Sequence, residues 1–107
     1  MGGEVDQRQA VAALGALAQD TRLEIVRFLV AQGPNGAAAG EIAQHVDAST
    51  SRASFHLANL ERAGLIASTR DARRIVYRAR FDRLGELIAY LLKDCCQGRD
   101  EVRRCCE

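Results

Sequence analysis

All four cysteines of this 107-residue chain fall within its last thirteen positions, as two vicinal pairs, Cys95-Cys96 and Cys105-Cys106. Eight residues separate the pairs, Gln97-Gly98-Arg99-Asp100-Glu101-Val102-Arg103-Arg104. Thiolates are soft ligands, and soft ions select them over oxygen donors. Thiols gathered outside the expected core therefore point to capture of a thiophilic ion, a metalloid above all. Neighbours on a regular helix point about 100° apart, so Cys95 and Cys96 converge on one ion only where a helix frays. Gly98 allows that fraying. A third sulfur, from Cys105 or Cys106, would come from the tail, and a spacer of this length closes such a loop at modest entropic cost. Arg99, Arg103 and Arg104 would favour thiolate over thiol. Other chemistries stay open for the same thiols. Structural disulfides are disfavoured where the compartment is reducing. A redox switch between the pairs, or another soft ion such as Sb(III), Cd(II), Pb(II) or a methylated trivalent arsenical needing two thiols, fits the residues too.

The elements that must position these thiols follow from length and periodicity. At 107 residues the chain is one domain by length, and dimerisation would add buried surface. It is 48% apolar and 27% charged, the balance of a folded soluble protein. With three Phe, two Tyr and no Trp, its core must be aliphatic. No apolar run approaches the roughly 20 residues of a membrane span, so no membrane association is expected. Met1-Gly2-Gly3-Glu4-Val5-Asp6 has neither a signal-peptide pattern nor the downstream Ser or Thr of a myristoylation site, and a cytoplasmic location is expected.

Val11, Leu14 and Leu17 space a helix over 6–18, with Gly15 open to close approach by a partner. Asp20 is expected to cap a second helix, Thr21 to about Ala31, whose apolar residues point almost all round and imply central burial. Gly33-Pro34-Asn35-Gly36 breaks the chain. A short helix follows near Ala39 to His45, then a turn at Asp47-Ala48-Ser49. Ser49 or Thr50 caps the next helix, which runs to about Ala63 and ends at Gly64 in a left-handed conformation. Leu65 to Arg70 and Arg74 to Arg80 read as two strands around Asp71-Ala72-Arg73. Asp82 is expected to cap a last helix with a stripe of Leu84, Leu87, Ile88, Leu91 and Leu92, reaching about Cys95-Cys96. Residues 1–98 thus form the domain and 99–107 a flexible cysteine-containing tail.

The fold class is mainly α with a small β-hairpin (α+β): helix, helix, helix, helix, hairpin, helix. Two short helices joined by a tight turn and followed by a basic hairpin make a winged helix-turn-helix, with the second short helix in the DNA major groove and the hairpin as wing. Charge agrees. Arg52, Arg62, Arg70, Arg73, Arg74, Arg78 and Arg80 face only Glu61 and Asp71 between residues 49 and 80, while the whole chain nets +1. A localised basic surface on an acidic body suits phosphate. Ser49, Thr50, Ser51, Arg52, Ser54, Phe55 and His56, on the first half of the recognition helix, are the expected DNA contacts. Arg52 suits a guanine edge, and Phe55 or His56 could instead pack beneath the helix. On the wing, Arg70, Arg73 and Arg74 would reach backbone or minor groove.

Three stretches resemble the ArsR (ArsR/SmtB) repressors, bacterial winged-helix metalloregulators. Leu17-Ala18-Gln19-Asp20-Thr21-Arg22-Leu23-Glu24-Ile25 resembles the family's second-helix opening, and Gly40-Glu41-Ile42-Ala43 the first helix of its helix-turn-helix. Ser54-Phe55-His56-Leu57-Ala58-Asn59-Leu60-Glu61-Arg62-Ala63-Gly64-Leu65-Ile66 is similar to its recognition-helix signature. The resemblance spans roughly Leu14 to Cys96. It implies a homodimer formed by the first and last helices, Val11, Leu14 and Leu17 against Leu84, Leu87, Ile88, Leu91 and Leu92, bound to palindromic double-stranded operator DNA. The Cys-x-Cys of well-known arsenic sensors is replaced here by Ala38 and Gly40, and Asp82 to Cys96 lacks the His of the zinc sensors. The chain resembles instead the subgroup that binds As(III) through a vicinal Cys-Cys pair and a third cysteine in the tail. As(III), with three bonding directions beside a lone pair, suits three thiolates, and Sb(III) is a look-alike. The expectation is an arsenite-responsive repressor released from DNA when Cys95, Cys96 and Cys105 or Cys106 bind the metalloid. An enzyme is not expected: there is no Cys-x-x-Cys, no anion loop around a cysteine and no βαβ pattern. The arginine-bearing helix and wing argue against a metal buffer that never meets DNA.

Overall fold

The computed structural model describes residues 5–93. Cys95, Cys96, Cys105, Cys106 and the 99–107 tail lie outside the described residues. Five helices and three strands follow one another as α1 (Gln7–Leu17), α2 (Asp20–Gln32), β1 (Ala37–Ala38), α3 (Ala39–His45), α4 (Thr50–Arg62), β2 (Ile66–Asp71), β3 (Arg74–Ala79) and α5 (Phe81–Leu91). The mainly helical winged helix-turn-helix expected from the sequence is the fold observed.

Local chemistry accounts for most boundaries. Asp6 caps α1 reciprocally: its Oδ1 accepts the Gln9 N–H at 2.8 Å, and Gln9 Oε1 accepts the Asp6 N–H at 3.0 Å. Ser49 caps α4, its hydroxyl accepting the Arg52 N–H at 3.2 Å. Gly64, at φ +80°, ends α4 in the left-handed region. Two expected caps are corrected. Gln19, not Asp20, caps α2, because Gln19 Oε1 accepts the Arg22 N–H at 2.9 Å and Asp20 becomes the first helical residue. Helix α5 begins at Phe81 with Arg80 at the cap and no side-chain cap bond, while Asp82 sits in the first turn and accepts from Arg80 at 2.8 Å. It ends at Leu91, short of the expected Cys95-Cys96, with Leu92 and Lys93 in a turn.

The wing holds one strand more than the hairpin read from sequence. The sheet order is β1-β3-β2, all antiparallel, with Ala37 opposite Tyr77 and Ala38 opposite Val76. The break at 33–36 is a single 3₁₀ turn, Gly33–Asn35, that delivers β1 to the sheet edge. Gly36 makes this delivery possible. It sits at φ +65°, and a Cβ there would collide with the Tyr77 carbonyl and the Val76 and Arg78 side chains. Arg78 ties the junction from the other side: its Nε donates to the Pro34 carbonyl at 2.8 Å and its Nη1 to Thr69 Oγ1 at 2.6 Å.

The core is aliphatic, as composition required. Ile25, Leu29, Ile42, Leu57, Leu60, Leu65 and Ile66 are fully buried and join α2, α3, α4 and the base of the wing. Helix α2 is buried on one side only. Ile25, Val26 and Leu29 face inward, whereas Leu23 and Val30 are exposed, so the expectation of burial all round is corrected. In α5 the apolar stripe divides: Leu87 enters the core, and Ile88 and Leu91 face outward.

Candidate nucleic-acid interface

Helix α4 owes its position to one apolar stripe. Ala53, Leu57 and Leu60, with His56 beside them, recur at helical spacing and are buried against the rest of the domain. The α3–α4 turn is tight: the Ala48 N–H donates to the Ala43 carbonyl at 2.9 Å, and Asp47 occupies the left-handed region at φ 55°. Asp is among the few residues that tolerate that conformation. The remaining face of α4 is left to solvent. Ser49, Thr50, Ser51, Arg52, Ser54 and Phe55 are all exposed there. The first backbone N–H groups of the helix open toward the same end, where an anion is favoured.

His56 parts from this set. It is 6% exposed and faces the interior. Arg22 Nη1 donates to His56 Nδ1 at 3.3 Å, and Arg22 Nε donates to the Ala16 carbonyl at 2.7 Å. A guanidinium only donates, so His56 Nδ1 must be the acceptor and the imidazole is neutral. Burial pushes the His56 pKa down from 6.5, and the charges of Arg22 and Arg52 push it the same way. One arginine thereby joins α1, α2 and α4. His56 is therefore a support for the recognition helix rather than part of its outer surface. His45, at the end of α3, stacks on Phe28 with ring centroids 4.1 Å apart.

The wing presents Arg70 and Arg73 freely at its tip, beside a two-residue turn in which Ala72 has φ 58°. Arg74 is exposed but pairs with Glu41 of α3, Nη2 to Oε1 at 3.1 Å. The same Glu41 oxygen accepts the Ala38 N–H at 2.8 Å. Glu41 thus fixes both the start of α3 and the neighbouring wing. Ser68 donates to Glu61 Oε2 at 2.8 Å and braces β2 against α4. Arg78 and Arg80 are engaged with Pro34, Thr69 and Asp82. Of the arginines between residues 49 and 80, only Arg74 and Arg80 meet carboxylates, so the exposed cations there without an acidic partner are Arg52, Arg62, Arg70 and Arg73, while Arg78 keeps its charge but is tied to neutral acceptors. Sequence spacing had no means of finding Arg22 or Glu41, because their partners lie 34 and 33 residues away.

A polar, cation-flanked recognition helix, a tight turn before it and a basic wing after it define a winged helix-turn-helix DNA-binding regulator. A helix-turn-helix domain family matches residues 17–69. The HTH-type transcriptional regulator YgaV of Escherichia coli (strain K12) is 38% identical over 88 residues, covering 82% of this chain and 87% of that protein. Among solved structures, a homodimeric winged helix-turn-helix DNA-binding domain from Mycobacterium bovis, described as a possible ArsR-family transcriptional regulator, superposes with a TM-score of 0.62. It is 28% identical, over 86% of this chain and 94% of that one. A second, described as a possible transcriptional regulator for arsenical resistance, has a TM-score of 0.65 and 32% identity, over 74% of this chain and 79% of that one. The chain belongs to the ArsR-type winged-helix transcriptional regulators. No helix among the described residues is long and apolar enough to cross a membrane.

Proposed function

We propose that the protein is an arsenite-responsive repressor that binds a palindromic operator as a homodimer in the cytoplasm. On this reading As(III), or Sb(III), binds Cys95, Cys96 and either Cys105 or Cys106 and releases the DNA. The observation that carries this reading is the cysteine placement: all four thiols follow α5 in sequence, and the first pair starts four residues past its exposed Leu91. Ile88 and Leu91 of α5 and Val11 and Leu14 of the contacting helix α1 are exposed apolar groups that a second copy would cover. A winged-helix dimer reads two half-sites at a spacing set by its dimer helices. Ligand bound to the segment that follows such a helix biases that spacing toward a geometry that fits two half-sites poorly. The similarity to a protein described as a possible transcriptional regulator for arsenical resistance supports an arsenical as the ligand.

A gel-shift titration tests the reading. As(III) is expected to release operator DNA from the wild-type protein and to leave the Cys95→Ser/Cys96→Ser protein bound. Release from that variant at the same As(III) concentration would refute the site. Release by hydrogen peroxide without metalloid would favour the thiol-redox reading of the same residues. Mass shifts of each single Cys→Ser variant with As(III) would identify the third sulfur.

A further inference from the structure

The outward face of α4 is polar except at Phe55 and the small Ala58. At about 100° per residue, Ser51, Phe55, Ala58 and Arg62 lie along one line, opposite buried Ala53, Leu57 and Leu60. All four are exposed. Phe55, at 63%, is more exposed than any other large apolar side chain among the described residues. Its ring stands edge to face with that of His56, with centroids 5.5 Å apart. The Phe55 carbonyl accepts the Asn59 side-chain N–H at 3.1 Å, which helps hold the stripe in place. An aromatic ring thus stands at the centre of a surface whose neighbours, Ser51, Arg52 and Arg62, are hydrogen-bonding and cationic.

Hydroxyls and guanidinium groups account for phosphates and for polar base edges. A phenyl ring can satisfy neither. In the major groove, unmodified base pairs display one apolar group, the C5 methyl of thymine. We propose that Phe55 is a specificity-determining residue that packs its ring on a thymine C5 methyl in each half-site. The inference rests on the DNA-binding reading above and adds the base that the recognition helix selects.

The experiment uses the full chain and an operator selected from random duplex DNA. Each thymine is replaced in turn by deoxyuridine, which removes the methyl group and keeps the base pair. Wild-type affinity is expected to fall about fourfold at one thymine per half-site, the worth of one buried methyl group. Phe55→Ala is expected to bind substituted and unsubstituted duplexes alike, with an unchanged far-UV circular dichroism spectrum. Phe55→Leu should keep part of the discrimination. Wild-type protein indifferent to every substitution would overturn the proposal, as would a Phe55→Ala protein with the full methyl preference. Failure to select any duplex would instead overturn the DNA-binding reading, and this inference with it.

Discussion

The most consequential single residue outside the DNA face is Arg22. Its side chain satisfies a carbonyl at the end of α1 and the ring nitrogen of a buried histidine in α4. Arg22→Ala leaves both acceptors without this donor, so a loss of about 1–3 kcal/mol in folding stability is expected from urea unfolding. His56 makes the same junction sensitive to pH. Its folded pKa lies below 6.5, so the unfolded chain binds the proton more readily. The contribution to stability is complete above pH 6.5 and is lost as pH falls through the lower, folded value. Urea midpoints measured between pH 7.5 and pH 5 should therefore decline in the wild type and decline less in His56→Gln. A neutral Nε2–H tautomer at pH 7 should appear in the nitrogen chemical shifts of the ring, and an Nδ1–H tautomer would contradict the assigned bond. Phe55 is the counterpart at the surface. Both rings sit on α4 one residue apart, and the 100° step between them separates support from readout.

The helices and strands were largely legible as patterns, for local reasons. The Ser49 cap, the Gly64 stop and the period-2 strands around residue 72 are each written in a few adjacent residues. Ser49→Ala should cost about 1 kcal/mol, seen as a lower urea midpoint, because the α4 amide it holds loses its partner. Strand β1 was not legible. Ala37-Ala38 has no alternation to read and becomes a strand only by pairing with β3. Its dependence on Gly36 gives a sharper prediction. Gly36→Ala must adopt a positive φ and displace the Tyr77 carbonyl. A destabilisation of more than about 1 kcal/mol is expected, visible in thermal unfolding. The start of α5 was misread for a related reason: Asp82 has the chemistry of a cap, but its carboxylate is drawn to Arg80. That bond also holds the Asp82 carboxyl below its usual 3.8.

For the whole molecule, the apolar residues left outside are as informative as the core. Val11, Leu14, Ile88 and Leu91 on α1 and α5 are exposed at 40% or more, although they continue the same stripes that bury Ala10, Ala13 and Leu87. Leu17, Leu84 and Leu87, counted with the dimer surface from sequence, turn toward the core. Ile88→Asp/Leu91→Asp is expected to yield a folded monomer in analytical ultracentrifugation and to weaken operator binding. A dimer that survived both charges would place the interface elsewhere. If metalloid and DNA act on one dimer equilibrium, linkage requires that operator DNA lower the affinity for As(III) by the factor by which As(III) lowers affinity for DNA. Calorimetric titration of As(III) into free and DNA-bound protein measures the first factor, and operator affinity with and without As(III) measures the second.

By itself, the sequence determined the class of regulator, the order of helices and wing, and the positions of the paired cysteines. These depend on short-range pattern: periodicity, caps, turn residues and adjacent cysteines. Tertiary structure alone decided which face each pattern turned. It buried His56 and exposed Phe55, split the α5 stripe between core and surface, and added β1 to the wing. It also paired Arg74 and Arg80 with carboxylates and tied the Arg78 side chain to Pro34 and Thr69. Each of these outcomes depends on partners distant in the chain, brought together by burial of the common aliphatic core, and no local spacing encodes such a partner.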